Sequence, residues 1–313
     1  MTRRGLVVMA YGTPASPEAV AEYYTHIRRG RPPSDEQLKD LQRRYDAIGG
    51  LSPLAERTRE QVGAIADGLQ EREPGTWRVE LGNKHAPPFV EDAVGALLED
   101  EEMEQVVGLV LAPHWSRASV GEYHRRAGAV IVEANRGIVY SGIESWHDLP
   151  AWVDILGSRV KDALDDLPDA TKVLFTAHSL PERALDRDPY PDQLRASALA
   201  IGAEAKLDPW ADWALAWQSA GRTPEPWRGP DVLGVIRDLA ATGRAEGVLV
   251  CPQGFVSDHL EVLYDLDVDA ARVAEEVGLK FARTPSINDD ASVMAALADR
   301  IVGICAAGNW ARA

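Results

Sequence analysis

Eight short apolar, β-branched runs punctuate this chain, and a stretch with helical periodicity follows nearly every one. The runs fall at 6–11, 78–82, 106–112, 137–141, 172–177, 214–218, 248–252 and 280–282. Helical spacing occupies 17–28, 34–47, 53–72, 89–99, 120–134, 151–165, 191–205, 230–241, 260–277 and 291–306. Alternation of this kind implies parallel sheets with helices on both faces, because a parallel connection must cross back over its sheet. A chain of 313 residues exceeds one ordinary core. The runs divide four and four near Ile143, and the long excursion from Pro14 to Gly50 breaks the rhythm of a single eight-stranded barrel. The expected fold is α/β, with two doubly wound domains, 1–143 and 144–313. The last helix is allowed to pack back on the first domain, and the ligand cleft is expected between the two.

Charge and cysteine usage narrow the function classes. Lys and Arg number 33 against 49 Asp and Glu, a formal net charge of −16. No nucleic-acid partner is expected, since that requires a basic footprint. The apolar run at 5–10 is too short for a secretory signal, and no stretch approaches a membrane span. Cys251 and Cys305 point to a reducing compartment, and two cysteines are too few to hold an iron–sulfur cluster alone. The expectation is a soluble, cytoplasmic monomer without stable membrane association.

Several strand ends carry chemistry. Val173-Leu174-Phe175-Thr176-Ala177-His178-Ser179-Leu180-Pro181 delivers an imidazole to the carboxyl end of a strand. The run after Val248-Leu249-Val250-Cys251 supplies Asp258, Glu261, Asp265 and Asp269. Glu261, Asp265 and Asp269 are spaced i, i+4, i+8, which lines them up on one helix. They are either a solvated face of an acidic protein or a polar track for protons or hydrated cations. A lone strand-end histidine is more often structural, but one facing carboxylates suits a transition metal, a proton transfer, or both. His26-Ile27-Arg28-Arg29-Gly30-Arg31, with Arg44-Tyr45 one helix later, is the densest basic cluster. It offers guanidinium forks for carboxylate or phosphate, or simply complements a helix dipole. Tyr11-Gly12-Thr13-Pro14 lacks the glycine-rich turn of a nucleotide site. Lys84-His85 and His114-Trp115 sit after the second and third strands, which describes a broad, partly aromatic rim.

These segments resemble the ferrochelatase family, and within it the short coproporphyrin ferrochelatases. The resemblance runs through Tyr11-Gly12-Thr13-Pro14, Tyr23-Tyr24-Thr25-His26-Ile27-Arg28-Arg29-Gly30 and Gly49-Gly50-Leu51-Ser52-Pro53-Leu54. It continues through Lys84-His85, Ala177-His178-Ser179-Leu180-Pro181, Asp188-Pro189-Tyr190-Pro191, Trp217-Gln218-Ser219 and Asp258-His259-Leu260-Glu261-Val262-Leu263-Tyr264-Asp265. It implies two Rossmann-like, chelatase-like domains with a porphyrin cleft between them, and insertion of Fe²⁺ into a free-base porphyrin. By the same comparison His178 and Glu261 are the catalytic and metal-site pair. Asp265 and Asp269 would hold an outer cation. Tyr11, Arg28, Arg44, Tyr45, Ser52 and Tyr123 would contact the porphyrin, with Lys84 and His85 at the entrance. The segment Trp115-Ser116-Arg117-Ala118-Ser119 departs from the aliphatic or Thr-rich sequence often found there.

Metallation must strip water from Fe²⁺, remove two pyrrole protons and bend the macrocycle. A neutral His178 either accepts a proton or ligates iron, and one nitrogen cannot do both. The expectation is His178 as proton acceptor, Glu261 as relay and iron arriving near Tyr11, with the reverse assignment open. Coproporphyrin III carries four propionates against two in protoporphyrin IX, so Arg28, Arg29, Arg31, Arg44, Ser52 and Arg117 favour the former as substrate. Protoporphyrin IX is the alternative. A non-catalytic heme carrier ranks lower because it needs no proton track. A cobalt or nickel chelatase ranks lower because its usual histidine pair is not evident. No cofactor beyond the Fe²⁺ substrate is expected. The expected partners are the substrates and, transiently, an upstream oxidase or a downstream decarboxylase.

Overall fold

The computed structural model describes residues 3–221 and 223–307. Its contacts divide the chain into two units: the residues up to Trp146 together with those from Asn288 onward, and His147–Ile287.

The first unit runs β1 (Arg3–Ala10), α1 (Val20–Ile27), α2 (Asp35–Ala47), α3 (Leu54–Arg72), β2 (Trp77–Asn83), α4 (Val90–Leu98), β3 (Met103–Val110), α5 (Val120–Ala134) and β4 (Val139–Ile143). Its four strands are all parallel, in the order β2-β1-β3-β4. Leu6, Val7, Val8 and Met9 of β1 are each 0% exposed, so both faces of this inner strand are covered. Val7 and Met9 pack with Val90, Val94 and Leu97 of α4 and Val120, Tyr123 and Ala127 of α5. Ser34 opens α2 with a reciprocal capping box to Gln37, which explains why that helix starts where the Ser-x-x-Gln pattern lies.

The second unit runs α6 (Pro150–Leu164), β5 (Thr171–His178), α7 (Tyr190–Glu204), β6 (Trp213–Gln218), α8 (Val232–Ala241), β7 (Gly247–Cys251), α9 (Leu260–Val262), a π-helical segment (Leu263–Ala270), α10 (Ala271–Glu276) and β8 (Lys280–Arg283). Its strands are again parallel, in the order β6-β5-β7-β8. This repeats the first sheet strand for strand.

The division of the chain differs from a simple cut at 143/144. The last helix, α11 (Ala291–Ala307), belongs to the first unit, where it packs on α3. Arg72 of α3 donates from Nε to Asp299 at 2.5 Å and from Nη2 to the Ala295 carbonyl at 3.1 Å. The expected α-helix over 260–277 is present in extent but π-helical through its middle. No helix among the described residues is long and apolar enough to cross a membrane.

Candidate functional site

In an open parallel sheet, ligands bind beyond the carboxyl ends of the strands where the strand order reverses. In the second sheet that point lies between β5 and β7. His178 is the last residue of β5, and the chain leaving β7 at Cys251 reaches Glu261 within one loop. Three local features hold Glu261 opposite His178. Gly254 donates its N–H to the Thr176 carbonyl at 3.0 Å, and a Cβ there would lie 2.5 Å from Ala177 Cβ. Only glycine lets the loop press this closely on β5. His259 accepts the Val262 N–H at Nδ1 (3.1 Å) and caps the helix that carries Glu261. Gln218, the register partner of His178 on β6, donates from Nε2 to the Glu261 carbonyl at 3.0 Å.

His178 Nδ1 lies 2.5 Å from the Ser179 carbonyl, which can only accept, so Nδ1 carries a proton. That leaves Nε2 facing Glu261 Oε1 at 3.5 Å, with the two side chains 34% and 40% exposed. Burial lowers the His178 pKa, but the Glu261 charge and hydrogen bond, the Ser179 carbonyl and Asp265 together outweigh it. The net result is a group pushed up to about 9. This favours the His178 imidazolium against Glu261 near neutral pH, and the role of proton acceptor requires the neutral ring. Its neighbour His259 moves the other way. Burial lowers its pKa against the pull of Glu261, consistent with an unprotonated Nδ1 acting as the cap.

The acidic row is sorted by its partners. Arg283 takes Asp267 through both nitrogens of a fork (2.6 and 2.9 Å) and Asp258 at 3.3 Å. Asp265 accepts from the Ser219 hydroxyl, and Ser219 sits in left-handed backbone at φ 59°. Asp269 lies 3.5 Å from Arg272. On an α-helix an i+4 series drifts by about 40° per step, since 3.6 residues make a turn. A π turn is wider, with N–H groups bonding five residues back, and reduces that drift. Val262, Leu266 and Ala270 form a buried series along this segment, each following one residue after Glu261, Asp265 and Asp269. Among the described residues, no three His, Cys, Asp or Glu side chains form a preformed metal site.

In the first unit the corresponding reversal lies between β1 and β3. Tyr11 stands at the end of β1, 43% exposed. Gly12 follows at φ 84°, where a Cβ would also meet Ala86 at 2.9 Å. This permits Lys84 and His85 to bond back to Ala10 and Tyr11 (2.8 and 3.0 Å), and the Tyr11 and His85 rings approach to 4.7 Å. His85 Nδ1 is 3.0 Å from His26 Nδ1, and the His26 ring stacks on Phe89 at 5.1 Å. Burial, then the Lys84 charge, then His26, drive the His85 pKa down to about 3, so this ring is neutral.

The remaining expected contacts divide by burial. Arg28 is half-buried, its guanidinium 5.7 Å from the Tyr24 ring centre and bonded to the Arg31 carbonyl at 3.2 Å. Arg44 lies 3.2 Å from Asp40. Tyr45 and Tyr123 are 3% and 4% exposed, and Tyr123 belongs to the core between β1, α4 and α5. Ser52 accepts the Leu54 N–H at 3.2 Å at the start of α3. Lys84 is buried. It pairs with Glu122 at 2.9 Å, and its Nζ lies 5.2 Å from the centre of the Tyr123 ring. Sequence reasoning assigned no role to Gln218, Ser219, His259 or His26. The available signal for Gln218 and Ser219 was their place at the strand end beside His178.

A family model described as Ferrochelatase matches residues 3–303. The coproporphyrin III ferrochelatase of Anoxybacillus flavithermus is 44% identical over 302 residues, covering 94% of each chain. That of Bacillus subtilis is 42% identical over 302 residues, covering 95% of this chain and 96% of its own. Among solved structures, SirB from Bacillus subtilis with Fe³⁺ superposes with a TM-score of 0.60 at 11% identity, over 99% of this chain and 100% of that one. The sirohydrochlorin chelatase SirB of Bacillus subtilis subspecies spizizenii, in complex with cobalt, gives 0.57 at 9% identity, over 98% of each. These two share the fold.

Proposed function

The chain belongs to the ferrochelatase family, and we propose that it inserts Fe²⁺ into coproporphyrin III to give coproheme. The observation that carries the chemistry is the His178–Glu261 pair at the strand-order reversal, backed by Asp265 and Asp269 on the π-helical segment. A single carboxylate donor suits a metal that is substrate rather than resident, because it leaves positions for water at first and for pyrrole nitrogens later. Glu261 is the group that first meets Fe²⁺. Once its charge is engaged by the cation, the principal support for the His178 imidazolium is lost, and Nε2 sheds its proton. The neutral Nε2 then accepts a pyrrole proton, and Asp265 and Asp269 lead protons away. Nδ1 stays bonded to the Ser179 carbonyl throughout and fixes the ring.

The four-propionate substrate is supported by the names of the relatives and by Arg28, Arg44 and the basic loop around them. Tyr11, exposed and backed by His85, offers the macrocycle a flat wall. The reading requires no resident cofactor. It places the enzyme in the cytoplasm, transiently meeting the oxidase that supplies the porphyrin and the decarboxylase that consumes the product. Anaerobic Fe²⁺ insertion followed by porphyrin absorbance, with coproporphyrin III and protoporphyrin IX in parallel, tests the proposal. Faster turnover of coproporphyrin III is expected. Preference for protoporphyrin IX overturns the substrate, and insertion into neither overturns the activity.

A further inference from the structure

The first unit contains a cavity of about 570 Å³ lined by Arg29, Trp115, Arg117, Gly121, Glu122 and Arg125. Three guanidiniums face one carboxylate there, in a chain whose net charge is −16. That carboxylate is already engaged, because Glu122 pairs with Lys84 at 2.9 Å. Cations thus outnumber acidic groups three to one among the charged residues that line the cavity. Its aromatic wall is built in: Gly121 lets the Trp115 ring come so close that a Cβ would sit 3.1 Å from it. The Trp115 ring also lies nearly parallel to that of His124, with centres 6.4 Å apart and an interplanar angle of 13°. His124 is fixed in turn by Tyr140 at 2.7 Å and the Ile143 carbonyl at 3.1 Å.

Position matters as much as composition. Trp115 and Arg117 lie in the loop after β3, one of the two strands at the order reversal, and Gly121, Glu122 and Arg125 lie on the first turns of the helix that follows. Arg29 comes from the loop after α1, adjacent to Arg28 and held in left-handed backbone at φ 57°. The cavity therefore opens on the ligand rim of this unit. Guanidinium forks bind carboxylates bidentately, and an indole face receives the flat or aliphatic body that bears them.

We infer that this cavity is a carboxylate-binding pocket in which Arg29, Arg117 and Arg125 clamp the anionic groups against Trp115. The carboxylates come either from propionates on the macrocycle edge or from a free polycarboxylate. The first source rests on the function proposed above and makes the pocket a determinant of the four-propionate substrate. The second does not depend on that function.

The test is R117A/R125A, with R117K/R125K as a variant that keeps charge but not the fork. Both sites are exposed, so folding is checked by a melt and is expected to hold. Steady-state insertion with coproporphyrin III and protoporphyrin IX is measured beside calorimetric titration with citrate. A rise of about tenfold or more in the coproporphyrin III KM of R117A/R125A, with kcat and the protoporphyrin IX KM steady, identifies the propionates. Citrate binding to the wild type that both variants lose, with porphyrin KM values unchanged, identifies the free polycarboxylate. Unchanged KM values with no variant-sensitive citrate binding overturn the pocket. A wild type that metallates neither porphyrin defeats the proposed function, while the citrate titration still decides the pocket.

Discussion

Glu261→Gln is the most direct probe of how this site handles protons. His178 Nε2 and Glu261 Oε1 are 3.5 Å apart. At that separation, an effective dielectric of about 20 gives an interaction of about 4.7 kcal/mol. The two side chains are 34% and 40% exposed, so solvent screening warrants roughly halving the figure, to about 2.4 kcal/mol. This corresponds to about 1.7 pKa units. The His178 midpoint of about 9 should therefore fall to roughly 7 in E261Q. Proton NMR titration reads this directly, with the His178 resonance among seven histidines assigned by its absence from H178A spectra. Stability should follow. The folded-state pKa is raised, so the stabilisation from the pair is fully present below about pH 6.5 and is lost as pH rises through about 9. The wild type should lose melting temperature over that window, and E261Q should lose much less. A midpoint in E261Q within half a unit of the wild-type value would refute the claim that Glu261 holds the proton on His178.

Replacing His178 by Ala should abolish insertion while porphyrin binding, followed by absorbance or fluorescence titration, stays within a few-fold; loss of affinity would make His178 a binding residue. Arg28→Ala should raise the coproporphyrin III KM more than the protoporphyrin IX KM, and equal effects would count against a propionate clamp. In Gly254→Ala the new Cβ lies 2.5 Å from Ala177 Cβ and 2.7 Å from its Cα, contacts with no flexible end to yield. Denaturant titration should show a loss of about 1–3 kcal/mol, with kcat falling as Glu261 is displaced; a variant of wild-type stability and rate would mean that the loop has other room.

The sheets were legible in the sequence because most strands are compact apolar runs with a turn after them, and inner parallel strands such as β1 and β7 are buried on both faces. His178 and Glu261 were legible for a related reason, since strand ends are where an α/β sheet places its ligands. The side-chain partnerships were hidden. The pairing of Lys84 with Glu122 and the packing of Tyr123 against β1 and α4 both depend on how α5 folds onto the sheet, which no spacing in the sequence states. Asp258 precedes the acidic row in the sequence, and its pairing with Arg283 of β8, which also takes Asp267, is set only by the fold. The sequence allows the last helix to pack back on the first domain, and α11 does so against α3. The π-helical turn was hidden because apolar residues four apart are read by default as α-helix.

That turn also sets how the segment tolerates change in length. An α-helix commonly absorbs an inserted or deleted residue at a frayed end, at the cost of rotating one terminus. Between Glu261 and Ala274 neither end is free to rotate. One is anchored to Gln218, and the other is sealed into the core with Val273 and Ala274. The widened turn takes up the phase difference between them, as an expansion joint does between two fixed spans. Loss of a single residue within Leu263–Ala270 would leave the chain a choice between misaligning the carboxylates and exposing the core. Variation in length should therefore collect elsewhere in the chain.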